Sequence, residues 1–199
     1  MINATAHTSH ADPIEDAFAS RGRVGMICLI ATEAALFSIF VVAYLFYIGK
    51  SVSGPSPAQV LAVPILPTIC LLASSATIML AERALHQGYG VRFTGWWFLT
   101  ILLGVEFLRA TAVEWHHLIF TQHLTISTNL FGTTYYSLVG FHAMHVTVGL
   151  ILLTLVLILS LCGYVTQAQS ERVAALSLYW HFVDVVWIVV FLVVYIIGR

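Results

Sequence analysis

Charge is what this sequence has least of: lysine, arginine, aspartate and glutamate make up 9% of its 199 residues, whereas 60% are apolar. Soluble domains carry roughly 25% charged residues, so the composition reads as an integral membrane protein, in keeping with a mean hydropathy of +0.95. The eight cationic residues are scattered and the net charge is −1, which excludes a general pull toward nucleic acid. Cysteine is scarce too. Cys28, Cys70 and Cys162 stand alone in apolar segments without a CxxC, so neither a disulfide framework nor a cysteine metal site is expected. Residues 1–22 contain no apolar h-region and do not read as a secretory signal.

What the chain does have is apolar sequence in membrane-length runs. A hydrocarbon core of ~30 Å is crossed by about 20 apolar residues, and the runs near 24–48, 61–81, 94–120, 134–162 and 174–197 all qualify. The expected fold is all-α: a polar tail over residues 1–23, then a single membrane domain of five transmembrane helices over residues 24–199. His7 and His10 in the tail are too few for a structural metal site, which needs four ligands. Gly54, Pro55 and Pro57 mark the first loop, Gly88 and Gly90 the second. Arg21, Arg23, Arg83, Arg92 and Arg172 flank the spans on one side and only Lys50 and Arg199 on the other. The positive-inside rule then predicts a cytoplasmic N-terminus and an external C-terminus.

Ionisable residues inside these spans are the next feature to explain, because they are costly in lipid. His181 and Asp184, three apart in SLYWHFVDVVW, share one helix face and are expected to satisfy each other. Counting ~1.5 Å per residue places Glu33, Glu106, Arg109, His142, His145, His181 and Asp184 in one broad central layer, predicted to face neighbouring helices or trapped polar molecules. Glu106 and Arg109 are natural partners at their i,i+3 spacing. His142 and His145 share a face with Gly149, where helices approach closely, and the imidazoles are expected to hydrogen-bond across it. Glu33 has no basic residue within a turn, so it needs an interhelical partner, water, a lipid headgroup or a proton.

The same layer, with Glu114, His116 and His117, contains the ligand types of a zinc or non-haem iron site. Spacing supports this poorly: no HxxxH pair occurs and ExxH is not repeated, and the adjacent His116 and His117 diverge by about 100° on a helix. A proton-coupled transporter is a further alternative, weakened by the lack of an evident internal repeat. Composition and spacing stop at a polytopic membrane protein with a buried polar layer.

Longer runs carry a resemblance. YWHFVDVVW at Tyr179 to Trp187, GFHAMHVTVGL at Gly140 to Leu150, TEAALFSIFVVAYLF around Glu33, VPILPTICLLASSATI in the second span and LGVEF with Glu114 beyond it together resemble subunit III of the haem-copper terminal oxidases, in its short five-helix bacterial form. The likeness covers nearly everything from residue 24 onward and keeps the family's order.

The resemblance implies a non-catalytic subunit of a proton-pumping respiratory enzyme in the bacterial inner membrane. It implies haem and copper on partner subunits I and II, no redox centre on this chain, direct docking on subunit I, and bound phospholipid. Glu33, His142, His145, His181 and Asp184 match the family's buried glutamate, histidine and WHFVD positions, with structural roles. Trp180 and Trp187 are candidates for helix packing, and with Glu33 for lipid contact. EWHHLI and LSLYWHF resemble the quinol-oxidase branch, whereas Glu33 and GFHAMHV resemble the cytochrome c branch, which is favoured. A subunit-III-like protein associated with nitric oxide reductase shares the same helices.

Overall fold

The computed structural model describes residues 13–50, 61 and 63–198, with side chains from residue 21 onward. It contains five long helices: α1 (Pro13–Tyr47), α2 (Ile65–His86), α3 (Gly90–Phe120), α4 (Leu130–Leu161) and α5 (Ser170–Phe191). All five are long and apolar enough to cross a membrane, and no strand occurs among the described residues. His7, His10, Gly54, Pro55 and Pro57 lie outside the described residues.

Helix ends follow backbone chemistry more closely than apolar runs do. α1 begins at Pro13, inside the expected polar tail, although its apolar span begins only at Arg21. Helical hydrogen bonding does not stop where apolar side chains do, and proline is tolerated in a first helical turn because its missing N–H would lack an acceptor there. α2 starts later than the apolar run, at Ile65. A residue preceding proline is pushed out of the helical region, which keeps α2 from reaching back through Val63 ahead of Pro64, while Pro67 falls in the first turn, where no N–H is required.

Gly88, at φ +77°, supplies the left-handed residue that turns α2 into α3. Asn129 caps α4, its Oδ1 accepting from the Gly132 amide at 2.8 Å, one of the four donors left over at a helix start. A reciprocal capping box between Thr166 and Gln169 leads through a short 3-10 turn into α5. α5 then continues as a π-helical segment, Leu192–Ile197.

α5 is the centre of the bundle. In its most apolar window 44% of residues are buried by the chain itself, against 6% in α1, so α1 is peripheral. α5 packs on α1, α2 and α4, and α3 closes the far side against α2 and α4. The key contact is Trp180, fully buried between two glycines on different helices. A Cβ on Gly104 of α3 would stand 2.9 Å from its indole, and one on Gly149 of α4 would stand 2.8 Å from it. The close approach expected at Gly149 is thus made by a tryptophan.

Candidate functional site

The polar layer is built as separate clusters. On α5, His181 and Asp184 do not touch each other as their spacing predicted; Ser75 of α2 stands between them. Its hydroxyl donates to Asp184 Oδ2 and lies 2.9 Å from His181 Nδ1. A serine has one hydroxyl hydrogen. With it directed at Asp184, the Ser75 oxygen accepts from His181 Nδ1–H, which fixes the imidazole tautomer. Two further bonds fasten α5 to α2: Trp180 Nε1 donates to Ser74 Oγ at 2.8 Å and Trp187 Nε1 to Thr68 Oγ1 at 3.1 Å. Both tryptophans are buried within the bundle, which corrects the expectation of lipid contact: the slot left by Gly104 and Gly149 draws Trp180 inward, and an indole N–H inside apolar surroundings needs a partner.

Glu33 of α1 finds its partner on α4. Its Oε2 lies 3.1 Å from His145 Nε2, while His145 Nδ1 lies 2.8 Å from the Phe141 carbonyl. A carbonyl only accepts, so Nδ1 carries a hydrogen, and a neutral imidazole then presents a bare Nε2. The Glu33 contact therefore holds one more proton, on the imidazole or on the carboxyl, and either way the pair has no net charge. That neutrality suits a group inside a membrane span.

His142 departs from its expected role. It is fully buried, and neither ring nitrogen has a hydrogen-bond partner among the described residues. Its surroundings are aromatic: the ring stacks on Trp187 at 5.1 Å and meets Phe107 edge-on at 5.7 Å. One turn of α4 separates it from His145; both rings meet Phe37 of α1 edge-on, at 6.4 and 5.0 Å, but only His145 reaches Glu33.

Glu106 and Arg109 bond each other, as their spacing predicted, through Nε to Oε2 at 2.7 Å and Nη2 to Oε1 at 2.6 Å. The inward orientation expected of them is corrected. Their side chains are 36% and 63% exposed on the outer surface of α3, because the positions facing α2 and α4 are taken by Gly104, Phe107 and Thr111. Glu114, nearer the end of α3, accepts from Tyr195 Oη at 3.1 and 3.2 Å, with Tyr135 Oη 3.4 Å from Tyr195 Oη.

Among the described residues no three His, Cys, Asp or Glu side chains converge on a point that would hold a metal ion. The metal-ligand set considered from sequence is dispersed, with His116 and His117 both pointing away from the core of the bundle on α3. What the clusters do is join helices: α1 to α4 through Glu33, α2 to α5 through Ser75, α3 to the end of α5 through Glu114.

The sequence matches the family Cytochrome c oxidase subunit III over residues 1–199. The chain belongs to that family. It is 33% identical over 177 residues to cytochrome c oxidase subunit 3 of Alkalihalophilus pseudofirmus, covering 88% of this chain and 86% of that protein. It is 34% identical over 196 residues to the subunit of the same name from Synechocystis, covering 96% and 80%. Cytochrome bo(3) ubiquinol oxidase subunit 3 of Pseudomonas aeruginosa is 33% identical over 177 residues, covering 88% and 84%. As a member of the subunit III family the chain is a multi-pass membrane protein and part of an oxidoreductase complex.

Within this subunit III fold, sequence reasoning missed Ser74, Ser75 and Tyr195. The two serines carried a usable signal, since a small polar pair in the middle of an apolar helix marks a helix-packing face. Tyr195 carried none: its approach to Glu114 depends on the π-helical winding of Leu192–Ile197, which shifts side-chain direction relative to an α-helix.

Proposed function

We propose that the chain is the non-catalytic subunit III of a respiratory haem-copper oxygen reductase in a bacterial inner membrane, docked on subunit I with subunit II in the same complex. Haem and copper sit on those partners and supply oxygen reduction and proton pumping; this chain has no redox centre. Its own residues hold shape. The observation that carries this reading is the family match over residues 1–199 in a chain whose Glu33, His145, His181 and Asp184 all bond across helices.

An open groove of ≈480 Å³ between α1 and α5, walled by Ala34, Phe37, Val41, Phe182, Val186 and Val190, fits an acyl chain, and we assign structural phospholipid to it. The cationic flanks of the spans support a cytoplasmic N-terminus. Cytochrome c is the proposed electron donor. Quinol is the alternative, favoured by the equal likeness to a ubiquinol oxidase subunit 3.

Purification in a mild detergent tests the assignment. The chain is expected to elute with a haem-containing subunit I and with no stoichiometric metal of its own; a stable, lone, haem-free particle would overturn it. A copper-binding motif in the accompanying subunit II distinguishes cytochrome c from quinol.

A further inference from the structure

The Glu106–Arg109 pair is a doubly hydrogen-bonded ion pair on the outer face of a membrane-spanning helix, with the side chains 36% and 63% exposed. Its depth decides what surrounds it. The α3 span, Gly90–Phe120, continues past Glu114, and at ~1.5 Å per residue the Arg109 Cα lies about 7 Å short of the level of Glu114. An extended arginine there would snorkel outward to the headgroups. The guanidinium goes the other way. Both of its bonds draw it back one turn to Glu106, toward the middle of the span and away from lipid phosphates.

The pair also has hydrogen-bonding capacity left over. A guanidinium carries five N–H donors; the bonds to Glu106 use two, and no other described residue accepts from the rest. Each Glu106 oxygen likewise retains a lone pair. Hydrocarbon tails satisfy neither.

We propose that this α2–α3 face seats a transmembrane helix from another subunit of the oxidase complex, one that presents neutral hydrogen-bonding side chains at the depth of Glu106. The pair is net neutral, so serine, threonine, asparagine or glutamine fits it, whereas a third charge would stay uncompensated. Shape agrees with a helix. A groove of ≈490 Å³ beside the pair, walled by Pro64, Pro67, Ala110 and Val113 and by the polar Glu114 and His117, receives side chains, and exposed Ile69, Leu102 and Val105 extend an apolar patch beyond it. This docking rests on the reading of the chain as an oxidase subunit.

The test uses the whole complex, purified through a tag on the haem-bearing subunit, with p-benzoylphenylalanine placed at Val105 or Val113, both exposed and outside the packed core. Ultraviolet light is expected to join the chain to a different polypeptide of the haem-containing complex. Arg109→Ala, which leaves Glu106 unpaired, is expected to lower the cross-link yield at least tenfold. Cross-links only to lipid, or only to a second copy of this chain, in complexes that retain haem, would overturn the docking and leave the subunit assignment standing. Failure of the chain to purify with haem would overturn the assignment and the docking with it.

Discussion

Gly149 of α4 lies so close to Trp180 of α5 that a methyl group on it would sit 2.8 Å from the indole ring. Gly104 faces the same ring from α3 at 2.9 Å, so one side chain locks three helices at a spacing no larger residue permits. Gly149→Ala is expected to destabilise the subunit by about 1–3 kcal/mol, the usual cost of overpacking a filled core. Thermal unfolding of the purified complex measures it. Trp180→Phe in the same chain should recover part of the loss; no recovery would mean that the glycine matters for another reason.

Ser75→Ala removes the group that joins His181 to Asp184. Both then lose a partly buried partner, for an expected loss of about 1–3 kcal/mol. Ser75→Thr keeps the hydroxyl and should cost less. If the alanine and threonine variants melt alike, the bridge contributes nothing.

Asp184→Ala should reduce the amount of subunit III retained in the complex more than it slows the initial rate of oxygen reduction. The carboxylate is buried against α2, and removing one member of a buried polar cluster is costlier than the cluster's net contribution. Retention is read from gel densitometry and the rate from an oxygen electrode. Full retention with turnover abolished from the start would contradict a structural role.

Glu33→Leu alone strands His145 and should lower the melting temperature of the complex more than the double change Glu33→Leu with His145→Leu. Replacing both partners leaves no unsatisfied group behind, and the wild-type pair is net neutral. Equal melting temperatures for the single and double variants would show that the contact is not energetically coupled.

Tyr195→Phe deletes the donor to both Glu114 oxygens. Faster amide exchange is expected across Leu192–Ile197, because the π-helical winding has weaker backbone geometry than an α-helix and is held here by a side-chain contact to α3. Unchanged exchange would place the stability of that segment elsewhere, for instance in the fit of Gly198 against Tyr44, where a Cβ would meet the ring at 2.7 Å.

Several of these relationships are legible in the order of residues alone. Glu33 needs a partner from another helix because no basic residue lies within a turn, and Glu106 and Arg109 are marked as partners by their spacing. Spacing along one helix says nothing about which face looks inward, so the same reasoning puts Glu106 and Arg109 inside the bundle, where they are not. It also makes His181 and Asp184 direct partners, when Ser75 from a distant part of the chain stands between them. Helix ends are misplaced where prolines or polar residues obey backbone rules instead of hydropathy, as at Pro13 and Ile65.

Solvent, secondary structure and family follow from residue order: lipid solvation demands long apolar runs with internally bonded backbones, and such runs can be counted. The pairings come from how the helices pack. Hydrogen bonds among Ser75, His181 and Asp184, or between Glu33 and His145, depend on the rotation and offset of one helix against another, and those are set by steric fits such as Trp180 between Gly104 and Gly149, in which each helix contributes a part whose meaning appears only when the others are in place.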